Sequence, residues 1–455
     1  MCAGAHVFMI HRIFATIIVA LLAAGCPASR QETPRPPTGA AALYVPPGPA
    51  PPAAAAVAVD SPPAPTAVAD APGEVPITLP ILDAMFTDPA FAVALGARLG
   101  LSDAQIGQLR VAARTATAGL TESEDGSTQA AADHADAQIR GILDEVQRQG
   151  LTKLVHERWR MDEDGSIDLP TAAQDQARGI PSDTRIVVNA PAYRMDIFRD
   201  GELIKTYKIG IGYPEFPLPI GLRKASSIIF NPSWTPPDEP WVTGKFAAGR
   251  RVAAGNPLNP LGPIKIPIGM PSLIHGGKAA WQMGGFASHG CVGLTDSQVR
   301  DLARLLSELT STRISSADAA SYVTNTTETT RIKLASAVPV ELRYETIVVE
   351  DGRLLIYRDV YERGTNTEDR VRAVLAANGV ELDSLTHAER VHITRALRRM
   401  ALDARGKVSA DQANMHESPT SAAVTRTIKG AKEVVIEIPA LKGMGYPAPV
   451  DLTTK

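Results

Sequence analysis

At Arg185 the apolar pattern of this chain changes period, and that change limits what the chain can fold into. Between about residues 80 and 160 apolar residues recur at helical spacing, as in "LGLSDAQIGQLRVAART", where Leu101, Ile106, Leu109 and Val111 would supply contacts. Ser102 and Gln105 stand there in capping-box spacing. "ADAQIRGILDEVQRQGLTKLVHERW" repeats the pattern with Ile139, Ile142, Leu143, Val146 and Leu151. From Arg185, "TRIVVNAPAYRMDIFRDGELIKTYKIGIG" alternates, giving strands with a turn at Asp200-Gly201. "VPVELRYETIVVEDGRLLIYRDVY" adds hairpin strands before helical spacing returns in "EDRVRAVLAANG" and "LTHAERVHITRALRRMALDARG". Thr386 and Glu389 again have capping-box spacing. Helices and strands are therefore segregated along the chain, as in an α+β fold with a β-rich domain flanked by helical segments.

Five regions follow: a signal at 1–26, a linker at 27–78, a helical accessory region at 79–165, a β-rich domain at 183–361, and a helical C-terminal region with a tail at 366–455. The tail holds one further candidate strand, "EVVIEIPAL". "DEDGSID" lacks the first acidic ligand and the closing glutamate of a calcium loop and reads as a turn. The formal net charge of −3 supplies no basic excess for neutralising phosphates, so nucleic acid is not an expected partner.

The N-terminal run "IFATIIVALLAA" follows Arg12 and is short for a membrane span but suited to an export signal. It ends in "LLAAGC", which resembles the lipobox of bacterial lipoproteins and implies lipidation of Cys26. The Pro/Ala-rich stretch that follows cannot bury a core and reads as a tether. The expected location is the periplasm, with the chain lipid-anchored to a membrane. The three cysteines, Cys2, Cys26 and Cys291, are an odd number, which rules out a complete disulfide framework. With Cys2 lost in the signal and Cys26 lipidated, Cys291 is left as a lone thiol in an oxidising compartment.

That thiol sits in "LIHGGKAAWQMGGFASHGCVGL", with His275 and His289 close in sequence. Only the thiolate is a strong nucleophile, and a neighbouring imidazole can take the thiol proton and later return it to a leaving amine. Either histidine could serve; on an extended segment the His289 side chain would point the same way as that of Cys291. The glycines allow tight turns, and backbone N–H groups of the "SHGC" turn suit an oxyanion. Two other readings of the same residues stand beside this one: a metal site of His275, His289 and Cys291, which lacks a fourth ligand, and a buried inert cysteine.

"IHG", with twelve residues after His275 ending at Ala287, and then "SHGC" resemble the signature of the L,D-transpeptidase (YkuD-like) family. The opening strands, "NPSWTPP" and "PVELRYETIVVEDGRLLIYRDVY" are similar to the same family's course. The resemblance implies a β-rich catalytic domain acting on peptidoglycan stem peptides without metal or cofactor. Cys291 would attack a tetrapeptide stem and expel its terminal D-alanine. His275 would move the protons, oriented by the Gly276 backbone carbonyl, and Ser288, His289 and Gly290 would shape the substrate turn. Hydrolysis by a carboxypeptidase or endopeptidase, and a degenerate wall-binding scaffold, are the alternatives it leaves. Two positions depart from the pattern: Gly293, where arginine or asparagine is usual, and Gly277, where threonine or serine is common.

Overall fold

The computed structural model describes residues 76–118, 121–123, 128–159, 179–234, 251–269, 272–325, 328–404, 406, 423–425 and 428–452. The signal, Cys26, all but the end of the Pro/Ala-rich linker and the "DEDGSID" turn lie outside them.

The helical accessory region consists of α1 (Leu79–Phe86), α2 (Pro89–Leu99), α3 (Asp103–Ala118), α4 (Thr128–Arg140) and α5 (Glu145–Arg158), with a short strand β1 (Thr121–Ser123) after α3. Each start has a local cause. Thr78 and Asp88 cap α1 and α2, both of which carry proline in the first turn. The Ser102 hydroxyl accepts the Gln105 N–H while the Gln105 side chain accepts that of Ser102. Phe91, Leu95, Leu109, Leu151 and Leu154 fill the bundle core. The stretch from 135 to 159 forms two helices, because the chain tightens through Gly141–Leu143 and Asp144 opens α5 in a capping box with Gln147. One expectation fails here. Val111 and Val146, assigned to the apolar face by spacing, are 65% and 78% exposed.

The β-rich part begins with β2 (Arg185–Asn189), β3 (Arg194–Arg199), β4 (Glu202–Lys208), β5 (Ile211–Gly212) and β6 (Gly221–Phe230). It continues with β7 (Ile264–Pro267), β8 (Leu273–His275), β9 (Phe286–Ser288), β10 (Val292–Gly293), α6 (Asp296–Leu309), α7 (Ser316–Thr324) and β11 (Thr330–Arg343). Eight of these strands form one curled sheet in the order β10-β8-β7-β6-β11-β2-β3-β4. The Asp200-Gly201 turn has positive φ at both residues, the backbone that matches a two-residue hairpin to strand twist. Helix α6 lays Val299, Leu302 and Leu306 into the core with Ile186, Val188, Ile266 and Ile274 from the sheet. Its first turn is closed by a reciprocal Thr295–Gln298 capping box.

The strands β12 (Ile347–Glu350) and β13 (Arg353–Tyr357) leave this sheet. They are followed by α8 (Glu368–Ala377), α9 (His387–Met400), β14 (Ala423–Thr425) and β15 (Glu433–Glu437). Strand β15, the candidate strand of the tail, pairs with β13 to complete a three-stranded sheet. Val349, Leu354 and Ile356 share their core with Val371, Leu375, Ile393 and Leu397 of the two helices. The 347–357 hairpin thus packs with the C-terminal segment, not with the strands that precede it. Arg194 joins the two layers, pairing with Asp196 and with Glu350 of β12. Strands β1 and β14 pair in parallel.

Candidate active site

Cys291, just before β10, and His275 of β8 come to the same edge of the large sheet. Strands β10 and β8 run parallel with Gly293 opposite His275 and Val292 opposite Ile274. Continuing that register sets Cys291 beside Leu273, two residues from His275 on the neighbouring strand. The Leu273 backbone acts on the Cys291 thiol through a hydrogen bond, which sets the sulfur at this edge, two residues before His275 on β8. Gly293 exchanges both backbone hydrogen bonds with Gly210 at 2.9 Å, which holds β10 from its other flank.

The imidazole is buried, 3% exposed, and its Nδ1 lies 2.7 Å from the Gly276 carbonyl oxygen. A carbonyl can only accept, so Nδ1 carries the proton and Nε2 keeps its lone pair. The carbonyl is itself fixed from behind. Gly277 has φ +79°, and its N–H donates to the Asp296 carboxylate at 2.7 Å. A Cβ at Gly277 would stand 2.5 Å from the Pro260 carbonyl oxygen. This loop therefore has no room for the usual threonine or serine, which accounts for that departure. Asp296 ties the first turn of α6 to the residue after the carbonyl that faces His275.

Burial governs the charge state. Desolvation, aided by the Lys278 and Lys265 cations, lowers the His275 pKa to about 3, against a smaller opposing effect of the Gly276 carbonyl. Burial pushes the partly exposed Cys291 thiol up, while the Leu273 backbone and the same two lysines draw it partly back. At neutral pH the resting pair is a thiol and a neutral imidazole. A thiol and a neutral imidazole can react by passing the proton as the sulfur attacks, without a standing ion pair.

The turn before Cys291 is closed by Ser288. Its Oγ accepts the Cys291 N–H at 3.0 Å and donates to the Cys291 carbonyl at 2.5 Å. The Cys291 N–H is therefore already engaged, and the Gly290 N–H is the donor of this turn with no acceptor among the described residues. Ser272 Oγ holds the Gly290 carbonyl at 2.9 Å, and Gly290 takes φ +86°. The chain bends at 289–291 instead of extending, so the premise that aimed His289 along Cys291 does not hold. The His289 ring packs edge-on against Tyr213 and Phe216, with centroids 5.1 and 4.7 Å away.

A feature from distant sequence completes the site. Lys432, just before β15, reaches the Gly284 carbonyl and lies over the Tyr193 ring, gripping the loop between β8 and β9. That loop carries Trp281, 84% exposed. No local pattern marks Lys432, since its partner is far along the chain. Among the described residues no group of three or more His, Cys, Asp or Glu side chains is placed to hold a metal ion.

A mixed α+β domain with a cysteine and a histidine on one sheet edge, joined by a glycine-rich loop and a serine-locked turn, has the parts of a thiol acyl-transfer site. Residues 183–327 match the family model of the L,D-transpeptidase catalytic domain, YkuD, and this segment is a domain of that family. The match runs from β2 to just before β11 and contains both His275 and Cys291. Among solved structures, the catalytic domain of the E. faecium L,D-transpeptidase is 17% identical, with 35% of this chain and 97% of that chain covered, at a TM-score of 0.23. The L,D-transpeptidase from Mycobacterium smegmatis is 16% identical over 36% of this chain and 59% of that one, at a TM-score of 0.22. An L,D-transpeptidase from Mycobacterium tuberculosis is 14% identical over 35% and 57%, at a TM-score of 0.20. No curated protein matches the chain.

Proposed function

We propose that the protein is a peptidoglycan L,D-transpeptidase working through a Cys291 thioester. What supports this reading is the strand register that brings the Cys291 end of β10 next to β8, whose His275 ring is oriented by the Gly276 carbonyl, inside the YkuD-matching segment. In the first half-reaction, Cys291 Sγ attacks the carbonyl preceding the terminal D-alanine of a tetrapeptide stem. A C–S bond forms, and the C–N bond to D-alanine breaks. His275 Nε2 takes the thiol proton and delivers it to the leaving amine. In the second, an amine of another stem attacks the thioester. A new C–N bond forms, the C–S bond breaks, and the amine's proton returns through His275 to sulfur. The Gly290 N–H supports the oxyanion in both.

The Pro/Ala-rich segment and Cys26 complete the proposal: an exported chain, lipid-anchored through Cys26 and facing the periplasmic peptidoglycan. The mass of the mature N-terminal peptide, with and without Cys26→Ala, tests that part. For the reaction, the purified protein is mixed with disaccharide-tetrapeptide beside a Cys291→Ala control, and products are followed by mass spectrometry. A cross-linked dimer with loss of D-alanine, absent from the control, is the expected result. Tripeptide alone would move the assignment to a hydrolase. Untouched substrate in both would leave a wall-binding scaffold.

A further inference from the structure

Position 293 is glycine, yet the space above it is filled by a cationic side chain from elsewhere. A Cβ at Gly293 would stand 2.9 Å from Cγ of Lys278 and 3.3 Å from its Cε, so the lysine stem runs directly across the glycine. Gly293 is the register partner of His275, which puts that stem over the strand pair bearing both reacting side chains. The Lys278 backbone is pinned there by its N–H donating to the Leu294 carbonyl at 3.1 Å. On the opposite flank, Lys265 of β7 is the direct cross-strand neighbour of His275. Both lysines are half-buried, and both act electrostatically on His275 and on Cys291. The sheet edge thus shows a positive rim, with Lys278 reaching it from the loop and not from the strand.

We infer that Lys278 is a substrate-binding residue that replaces the usual side chain at 293 and receives a carboxylate of the acyl donor beside the attacked carbonyl. The chemistry of the donor suits this. In a peptide attacked at its last amide bond, the carboxylate of the departing residue lies two bonds beyond the amide nitrogen. A cation held near the nucleophile therefore favours donors ending in a free carboxylate at that bond. Glycine at 293 follows from the same arrangement, because any side chain there would displace the lysine stem. This inference rests on the acyl-transfer reading for its substrate, but the positive rim can be measured without that substrate.

The experiment compares alkylation of Cys291 by iodoacetate and by iodoacetamide in the full-length protein, followed on the Cys291 peptide by mass spectrometry. The two reagents differ in charge, so their rate ratio reports local potential and cancels changes in thiolate fraction. Lys278→Ala should lower the iodoacetate-to-iodoacetamide ratio about fivefold, the scale of one cation acting across a few ångströms of partly hydrated space. Lys278→Arg should keep the ratio, and Lys278→Ala combined with Gly293→Arg should restore it. An unchanged ratio in Lys278→Ala, or an equal fall in Lys278→Arg, overturns the inference. If the ratio falls while tetrapeptide is never turned over, the positive rim stands and the reaction assignment is what fails.

Discussion

The two histidines near Cys291 occupy opposite kinds of surroundings. His275 lies in regular sheet, its ring nitrogen fixed by a backbone carbonyl and its charge suppressed by burial and two lysines. His289 lies in a bend, its ring boxed by Tyr213 and Phe216. Sequence distance suggests the reverse ranking, since His289 is two residues from the cysteine and His275 is sixteen. The lesson is that strand register brings together what sequence separates, while a turn redirects what sequence makes adjacent. One ring is held by a backbone carbonyl in the sheet, and on the proposed function it moves the protons. The other packs between two aromatic rings.

The largest test of this division is His275→Ala. Losing the general base and acid should cost about 10²- to 10⁴-fold in kcat, with the far-ultraviolet dichroism spectrum unchanged. Next is Gly277→Ser, which installs a residue common in the family at a position with φ +79° and no room for Cβ. It should cost about 1–3 kcal/mol in stability and reduce kcat, because the same shift moves the carbonyl that orients His275. Thermal unfolding alongside kinetics separates the two effects. Asp296→Ala removes the acceptor of the Gly277 N–H and should lower kcat about tenfold while costing about 1 kcal/mol in stability. His289→Ala should behave in the opposite sense. The loss of two edge-on ring contacts costs about 1–3 kcal/mol in unfolding free energy, yet kcat should fall less than tenfold. A His289→Ala loss as deep as that of His275→Ala would erase the contrast.

Much of the α+β course was legible, because strands alternate, two-residue turns need Asp-Gly, and capping boxes have fixed spacing. The "IHG" and "SHGC" segments were legible too, being local. The break between α4 and α5 has no mark in the apolar spacing, which runs on across it, and is set by the Asp144–Gln147 capping box. The pairing of β15 with β13, the reach of Lys432 to Gly284 and the seating of Lys278 across Gly293 join segments with no local mark of each other. The Asp296 contact was hidden by the ordinary expectation that an acidic residue at a helix start serves the helix.

The pH dependence has a definite sign. A His275 pKa lowered to about 3 keeps the base neutral well below the ordinary histidine value of about 6.5. Its contribution to stability is present above the unfolded value and is lost as pH falls from there toward 3. The free-enzyme rate constant kcat/KM should therefore show no histidine limb near pH 6.5. The most direct measurement is nitrogen NMR of histidine-labelled protein, titrated from pH 8 to pH 5. The expected result is a His275 signal that stays neutral throughout, with the proton on Nδ1 and Nε2 bare. A His275 that is already imidazolium at neutral pH, or that titrates near 6.5, would contradict the neutral thiol–imidazole pair on which this account of the site depends.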